Sequence, residues 1–407
     1  MNPNTVMIAT MLAISSVGPT IADQVDGATF RSIEEGQWYH PIELEMWAHF
    51  GADQDRTLEI LTRIETATGH RSNPSQPDTI STYGAGNWTY EFTRAGDEGM
   101  ARAERVDGAA RLAVLKEALT YYHTASAPHT EDANRAAALE GAYAAYEEAA
   151  RMLPGTFRTV EIDLSGKQFS AFLHLPEGDG PHPVLVFSNG SDMSRVTALN
   201  YYETYLLPKE IGFLTIEIPG MGHSARFDVT DGQTEKLHVA AVNWARTQRQ
   251  IDTDNIFVQG VSFGGNAAAR VWSQHEDLDL AGVIYTCGPL HSVFMAPAEA
   301  YDTFPEFTID GVKTRLGLPT ESTSADFASS ARILSIESVD AFEGDMINTP
   351  MLAINTHADP VAPLQELDSL LERGRNVERV VFHLEGHCPP HDQREAIVSS
   401  WIERHLQ

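Results

Sequence analysis

The sequence predicts an α/β protein, a mostly parallel, doubly wound sheet with a helical domain ahead of it and a lid inserted into it. Three observations predict it. After Pro154, short β-rich runs alternate with longer helical ones, the pattern of strands joined by crossover helices. Before Pro154 the apolar spacing is helical. Between residues 288 and 345 the alternation lapses into a stretch rich in Pro, Phe, Thr and Ser, the kind of insertion that covers a site.

At 407 residues the chain has room for two domains or one large decorated one. Residues 1–26 read as a leader or a disordered N-terminus. Val6 to Ala22 is mostly apolar and ends in small residues, as an export signal does, but no Lys or Arg precedes it. The expected compartment is therefore the cytoplasm, with export as the alternative if residues 1–22 act as a signal peptide. Residues 27–155 are expected to form the helical domain. Leu112, Leu115, Leu119 and Tyr122 share one helix face. A second helix is expected with Thr130 as its N-cap, Leu139, Tyr143, Tyr146 and Ala150 on its apolar face, and Pro154-Gly155 as its stop. No copy of this helical pair recurs at a fixed period.

Residues 156–407 carry the sheet. RTVEID (158–163) and QFSAFLH (168–174) read as an antiparallel pair around Ser165-Gly166. PVLVF (183–187), FLTIEI (213–218), NIFVQ (255–259), GVIYT (282–286), MLAIN (351–355) and RVVFHL (379–384) follow as strands. Leu237, Ala240, Ala241 and Trp244 mark a helix ahead of NIFVQ. The lid is placed at about 288–345.

Composition narrows the partners. Lys plus Arg number 28 against 57 Asp plus Glu, a formal charge of −29, which repels nucleic acid and anionic membrane surfaces. No apolar run is long enough to span a bilayer. Cys287 and Cys388 are too few for a disulfide framework and lack zinc-site spacing, so two free thiols are expected. A small-molecule substrate is the expected partner, and self-association as a homodimer stays open.

The chemistry is concentrated in Gly260-Val-Ser262-Phe-Gly264, a G-x-S-x-G pattern between a strand-like run and a helix start. A serine hydroxyl is a weak nucleophile at neutral pH, so it needs a base within hydrogen-bond reach and a third group to orient that base. Asp359 follows the MLAIN strand and His387 follows the RVVFHL strand, in the chain order Ser, Asp, His. His357 and His383 are rival bases, expected respectively to line a loop and to pack beside the sheet. The backbone N–H of Phe263 is the natural first oxyanion donor, and that of Ser191, after the PVLVF strand, is the expected second, with Gly190 allowing close approach. The run His383, His387, His391 invites a metal reading, but Pro389-Pro390 prevents a continuous helix, and neither metal nor cofactor is expected.

Trp88, ALTYY (118–122), Tyr143, Phe187-Ser-Asn-Gly-Ser191, Pro219-Gly-Met-Gly222, GVSFGG and Glu385-Gly-His-Cys388 together resemble the α/β-hydrolase superfamily over roughly residues 85–405. More narrowly, they resemble the branch that includes the fermentation-respiration switch esterase, 2,6-dihydroxypseudooxynicotine hydrolase and the fungal polyketide-shortening hydrolases. The resemblance implies an α/β-hydrolase fold and a cofactor-independent Ser, Asp, His mechanism. Because several members of the branch cleave a carbon–carbon bond beside a ketone, it also implies a lean to C–C hydrolysis of a ketone or polyketide-like compound, with a carboxylesterase as the alternative. Asn189-Gly190 stands where the family often carries paired glycines, which bears on the second oxyanion donor. A different class of function, a hydrolase-fold binding or regulatory protein docking through its N-terminal helices, has no need of the base and its orienter.

Overall fold

The structure is a computed structural model and describes residues 38–129 and 131–407. The leader expected at 1–26 and the cap expected at Thr130 lie outside the described residues.

Eight strands form one sheet in the order β1-β2-β4-β3-β5-β6-β7-β8. They are β1 (Thr156–Leu164), β2 (Lys167–Leu175), β3 (His182–Ser188), β4 (Gly212–Thr215), β5 (Ile251–Val261), β6 (Gly282–Thr286), β7 (Met351–Ala358) and β8 (Val377–Glu385). The opening hairpin β1-β2 and the β2-β4 pair are antiparallel, and the other neighbours are parallel. The inner runs of the central strands, such as residues 184–187 of β3, are apolar at consecutive positions because both faces are covered. Leu185 and Phe187 of β3 belong to one core, and Val184 and Val186 to the other. The strand expected at 213–218 stops at Thr215. Beyond it the Glu217 carboxylate turns away from the ladder to accept from the Tyr143 hydroxyl, the Ser194 hydroxyl and the Arg195 N–H.

Among the described residues, five helices precede the sheet: α1 (Leu44–Phe50), α2 (Gln54–Thr66), α3 (Trp88–Ala103), α4 (Gly108–Ser126) and α5 (Ala133–Ala150). Leu115, Leu119 and Tyr122 of α4 are buried on the expected face. The α5 cap falls on Asp132, whose carboxylate accepts the N–H groups of Asn134 and Arg135. Helices α4 and α5 share a core with the sheet: the Tyr146 ring stacks on Phe172 at 4.5 Å, and α11 (His391–Arg404) joins the same layer through Trp401. On the opposite face lie α6 (Lys236–Ala245), α7 (Phe263–Gln274) and α10 (Leu364–Leu371). Between β6 and β7 the insertion folds as short helices, chiefly α8 (Glu306–Arg315) and α9 (Ser324–Ala331), the latter started by a Thr323/Asp326 capping box. Its Tyr301, Leu316 and Phe327 pack on the Phe263 ring.

Three histidines inside this core set an acid limit. Burial pushes His123 down to about 4, His174 to about 3 and His238 to about 4. Each is neutral when folded, whereas an unfolded histidine takes a proton near 6.5, so the unfolded state binds more protons below that value. Stability is thus fully present above pH 6.5 and falls with pH toward 4. At pH 5 each histidine withdraws about 2 kcal/mol. Burial acts the other way on Glu43 and Asp192, whose raised carboxyls offset part of the loss. The melting temperature measured from pH 7.5 to 5 is expected to drop by about 5 °C, and a flat profile over that range would show that these histidines are accessible to protons in the fold.

Candidate active site

Gly260-Val-Ser-Phe-Gly264 is the turn that ends β5 and begins α7, and Ser262 sits in it at φ 53°, ψ −121°. Positive φ at a residue with a Cβ is sterically costly and persists only where the surroundings enforce it. Here they do. A Cβ on Gly260 would lie 1.8 Å from the Gly264 carbonyl oxygen, and one on Gly264 would lie 2.6 Å from that of Asn189, so strand and helix close on the turn from both sides. The Ser262 N–H is held by the Thr286 carbonyl of β6 at 2.9 Å.

The side chains that the sequence singles out meet at this turn. The Ser262 Oγ lies 2.8 Å from His387 Nε2, and His387 Nδ1 lies 2.9 Å from Asp359 Oδ2. Asp359 follows β7 and its side chain is fully buried. It also accepts the N–H groups of Val361 (2.8 Å) and Ala362 (2.9 Å), and that of Cys388 at 3.3 Å. Turn-capping and histidine-orienting are therefore the same carboxylate. His387 is open to solvent on its outer side. The rival bases His357 and His383 stack on one another at 5.7 Å, and the partner of the Ser262 hydroxyl is His387.

The two cysteines expected as free thiols form a disulfide, Cys287–Cys388, with Cα atoms 5.2 Å apart and a sequence separation of 101. The sequence could not show this, because the pairing depends on β6 and the loop after β8 ending side by side across the sheet. The bridge ties the residue after His387 to the end of β6, and the Cys388 sulfur lies 3.6 Å from His387 Nε2. Among the described residues, Cys287, His387 and Cys388 bring three metal-ligand atoms together, but two of them are the bonded sulfurs.

Phe263 follows Ser262 in the chain, and Ser191 follows Gly190 in the loop after β3. Phe263 opens α7, where backbone N–H groups have no partner within the helix. Its ring serves the lid instead. Gly190 abuts Ser262 so closely that a Cβ there would lie 2.7 Å from Ser262 Cβ and 3.0 Å from Oγ. The Ser191 carbonyl accepts from Arg315 Nη2 at 3.0 Å, and Arg315 Nη1 donates to the Gly220 carbonyl at 2.9 Å. Arg315 is fully buried, and burial pushes it down to about 10. The lid thus braces the loop beside the nucleophile through one guanidinium. A Gly190→Ala substitution is expected to lower kcat by roughly tenfold to a hundredfold by displacing the serine hydroxyl, with far-ultraviolet circular dichroism unchanged. Unaltered kcat would mean that the loop yields without moving Ser262.

Two pocket residues escape a sequence reading. Asp192 follows Ser191, and burial pushes its carboxyl up against the opposing effects of the Ser191 hydroxyl, Arg315 and His387. Glu43, at the start of α1, is pushed up to about 7, first by the protein crowded around it and then by the charge of Asp192. Glu43 and Met46 line both an open groove of about 900 Å³ that contains His387 and an inner cavity of about 170 Å³ that contains Asp192. For Asp192, adjacency to a candidate oxyanion donor was the available signal. Glu43 lies some two hundred residues from the motif in sequence and carried none.

A mostly parallel sheet with this strand-turn-helix and this Ser, His, Asp geometry defines a class: the protein is a hydrolase with the α/β-hydrolase fold. It belongs to the FrsA-like esterase family, whose description, Esterase FrsA-like, matches residues 3–407. Esterase FrsA of Photobacterium profundum is 31% identical over 342 residues, 83% of this chain and 80% of that protein. Esterase FrsA of Salmonella typhi is 30% identical over 334 residues, 81% of this chain and 79% of that one. Among solved structures, 2,6-dihydroxy-pseudo-oxynicotine hydrolase superposes with a TM-score of 0.69 at 19% identity, covering 89% of this chain and 96% of its own. AbyA5 gives 0.63 at 18%, covering 89% and 99%. At such identities these two likenesses concern the fold. Among the described residues no helix is long and apolar enough to cross a membrane.

Proposed function

We propose that the protein hydrolyses carboxylic esters through a covalent acyl-enzyme, and the observation that carries the reading is the unbroken Ser262–His387–Asp359 hydrogen-bonded chain at a strained turn. His387 Nε2 takes the Ser262 proton as Oγ attacks the ester carbonyl carbon. Asp359 holds Nδ1–H, fixing the tautomer and stabilising the imidazolium. The tetrahedral oxyanion is met by the N–H groups of Phe263 and Ser191, each worth roughly 3 kcal/mol of barrier. His387 then gives its proton to the leaving alkoxide, and water, activated by the same imidazole, releases the acid.

The relatives named as esterases favour the ester over the ketone toward which the sequence leaned. C–C hydrolysis stands second, on the likeness to 2,6-dihydroxy-pseudo-oxynicotine hydrolase. It uses the same acyl-enzyme, with His387 protonating an enolate rather than an alkoxide. A panel of p-nitrophenyl esters and vinylogous diketones, with Ser262→Ala as the blank, separates them. Ester turnover alone supports the first reading and diketone turnover alone supports the second. The regulatory alternative predicts that a fluorophosphonate probe leaves the wild-type protein unlabelled. On compartment, the disulfide weighs toward an oxidising location and thus toward the export alternative, which N-terminal sequencing of the mature protein and fractionation would test.

A further inference from the structure

We propose that the inner cavity beside the nucleophile is a subsite for a protonated amine, so that the preferred esters carry an alkylammonium group. The inference rests on the hydrolase reading above and names its substrate class. The cavity, about 170 Å³, lies between the N-terminal helices, the lid and the loop after β3. It is several times the volume of a water molecule, about 30 Å³. It shares two walls, Glu43 and Met46, with the groove that holds His387.

Its wall is rich in acceptors. Asp192 and Glu43 bring two carboxylates. Among the described residues, His123 Nδ1 and Thr124 Oγ1 are buried there with no hydrogen-bond partner, on residues that are 4% exposed. Burial keeps the His123 imidazole neutral, so it too can accept. Trp47, Trp88 and Phe307 supply aromatic rings, which attract cations. Two cations bear on this wall among the described residues: Arg315, which stands behind the Ser191-Asp192 loop and is engaged by the carbonyls of His129, Gly220 and Ser191, and Arg135, whose charge reaches His40. Arg315 offsets part of the charge of Asp192, which still bears on Glu43.

Three ligand chemistries can be weighed against this wall. An anion further disfavours ionisation of the two carboxyls and brings no donor to the wall. An alkyl group leaves Thr124 and His123 buried and unpaired, which is costly. An ammonium group offers both the charge and the N–H donors that the wall lacks.

Titration calorimetry with N,N-dimethylbutylammonium and with an alcohol of the same chain length tests this on the Ser262→Ala protein, where no turnover intervenes. The cation is expected to bind at least about tenfold more tightly than the alcohol, with the difference abolished in Glu43→Gln and reduced in Asp192→Asn. Glu43 makes no capping hydrogen bond and Gln matches it in shape, so the variant is expected to melt within a few degrees of the wild type. Equal binding of the two probes, absence of binding, or a preference that survives both variants overturns the subsite. Hydrolysis of neutral p-nitrophenyl butyrate by the wild type is measured alongside. Turnover without cation selectivity rejects the subsite alone, whereas no turnover of any ester rejects the hydrolase reading.

Discussion

Ser262→Ala is expected to lower kcat/KM on a p-nitrophenyl ester by about ten-thousandfold or more and to abolish fluorophosphonate labelling, while melting within a few degrees of the wild type. The magnitude follows from what the substitution removes. Only Oγ can form the acyl-enzyme, and the remaining oxyanion donors and the groove stabilise a direct attack by water far less effectively. The fold has no stake in the hydroxyl: among the described residues the Ser262 side chain bonds to His387 alone, and the backbone is held by Thr286. His387→Ala should cost nearly as much, and the double variant little more than either single one, because the pair acts as a unit. Asp359→Asn should cost less in rate, and more in stability, since its carboxylate also holds Val361 and Ala362. Residual activity within tenfold of the wild type in Ser262→Ala would sink the acyl-enzyme.

Legibility in the sequence followed the range of the interactions. The parallel strands were readable because burial on both faces leaves an unbroken apolar run, as in GVIYT, which coincides with β6. Helix α4 was readable because its apolar positions recur at helical spacing. Features set by contacts between distant segments left no local trace. FLTIEI reads as six strand residues, but Glu217 is drawn off by Tyr143, Ser194 and Arg195, and the ladder ends at Thr215. The same holds within the site. The motif and chain order pointed to Ser262, Asp359 and His387 because each sits at the end of a recognisable strand. Glu43 and Arg315 reach the pocket from a helix start and a lid, where one charged residue looks like any other in a chain with 85 of them. The disulfide is the sharpest instance, since two cysteines 101 residues apart become neighbours only once β6, β7 and β8 lie side by side.

That disulfide carries the second large expectation. A Cys287→Ser/Cys388→Ser double variant should lose about 3–4 kcal/mol of stability, since the bridge closes a loop of about a hundred residues in the unfolded chain. It should also lose activity, for a local reason. Both cysteines have left-handed backbones, φ 46° for Cys287 and 67° for Cys388, each costing about 1–2 kcal/mol at a residue with a side chain. While the bridge is intact the two positions are held against that cost, and the Cys388 N–H stays on Asp359 Oδ2. Without it, the loop bearing His387 can relax toward ordinary φ values and carry the imidazole away from Ser262. The expected signature is kcat reduced about tenfold or more with KM little changed, together with a lower urea midpoint. Dithiothreitol should reproduce both effects in the wild type and leave the double variant unaffected. If the double variant matches the wild type in kcat while losing only stability, the bridge staples the fold and the His387 loop is held by the Asp359 contacts alone.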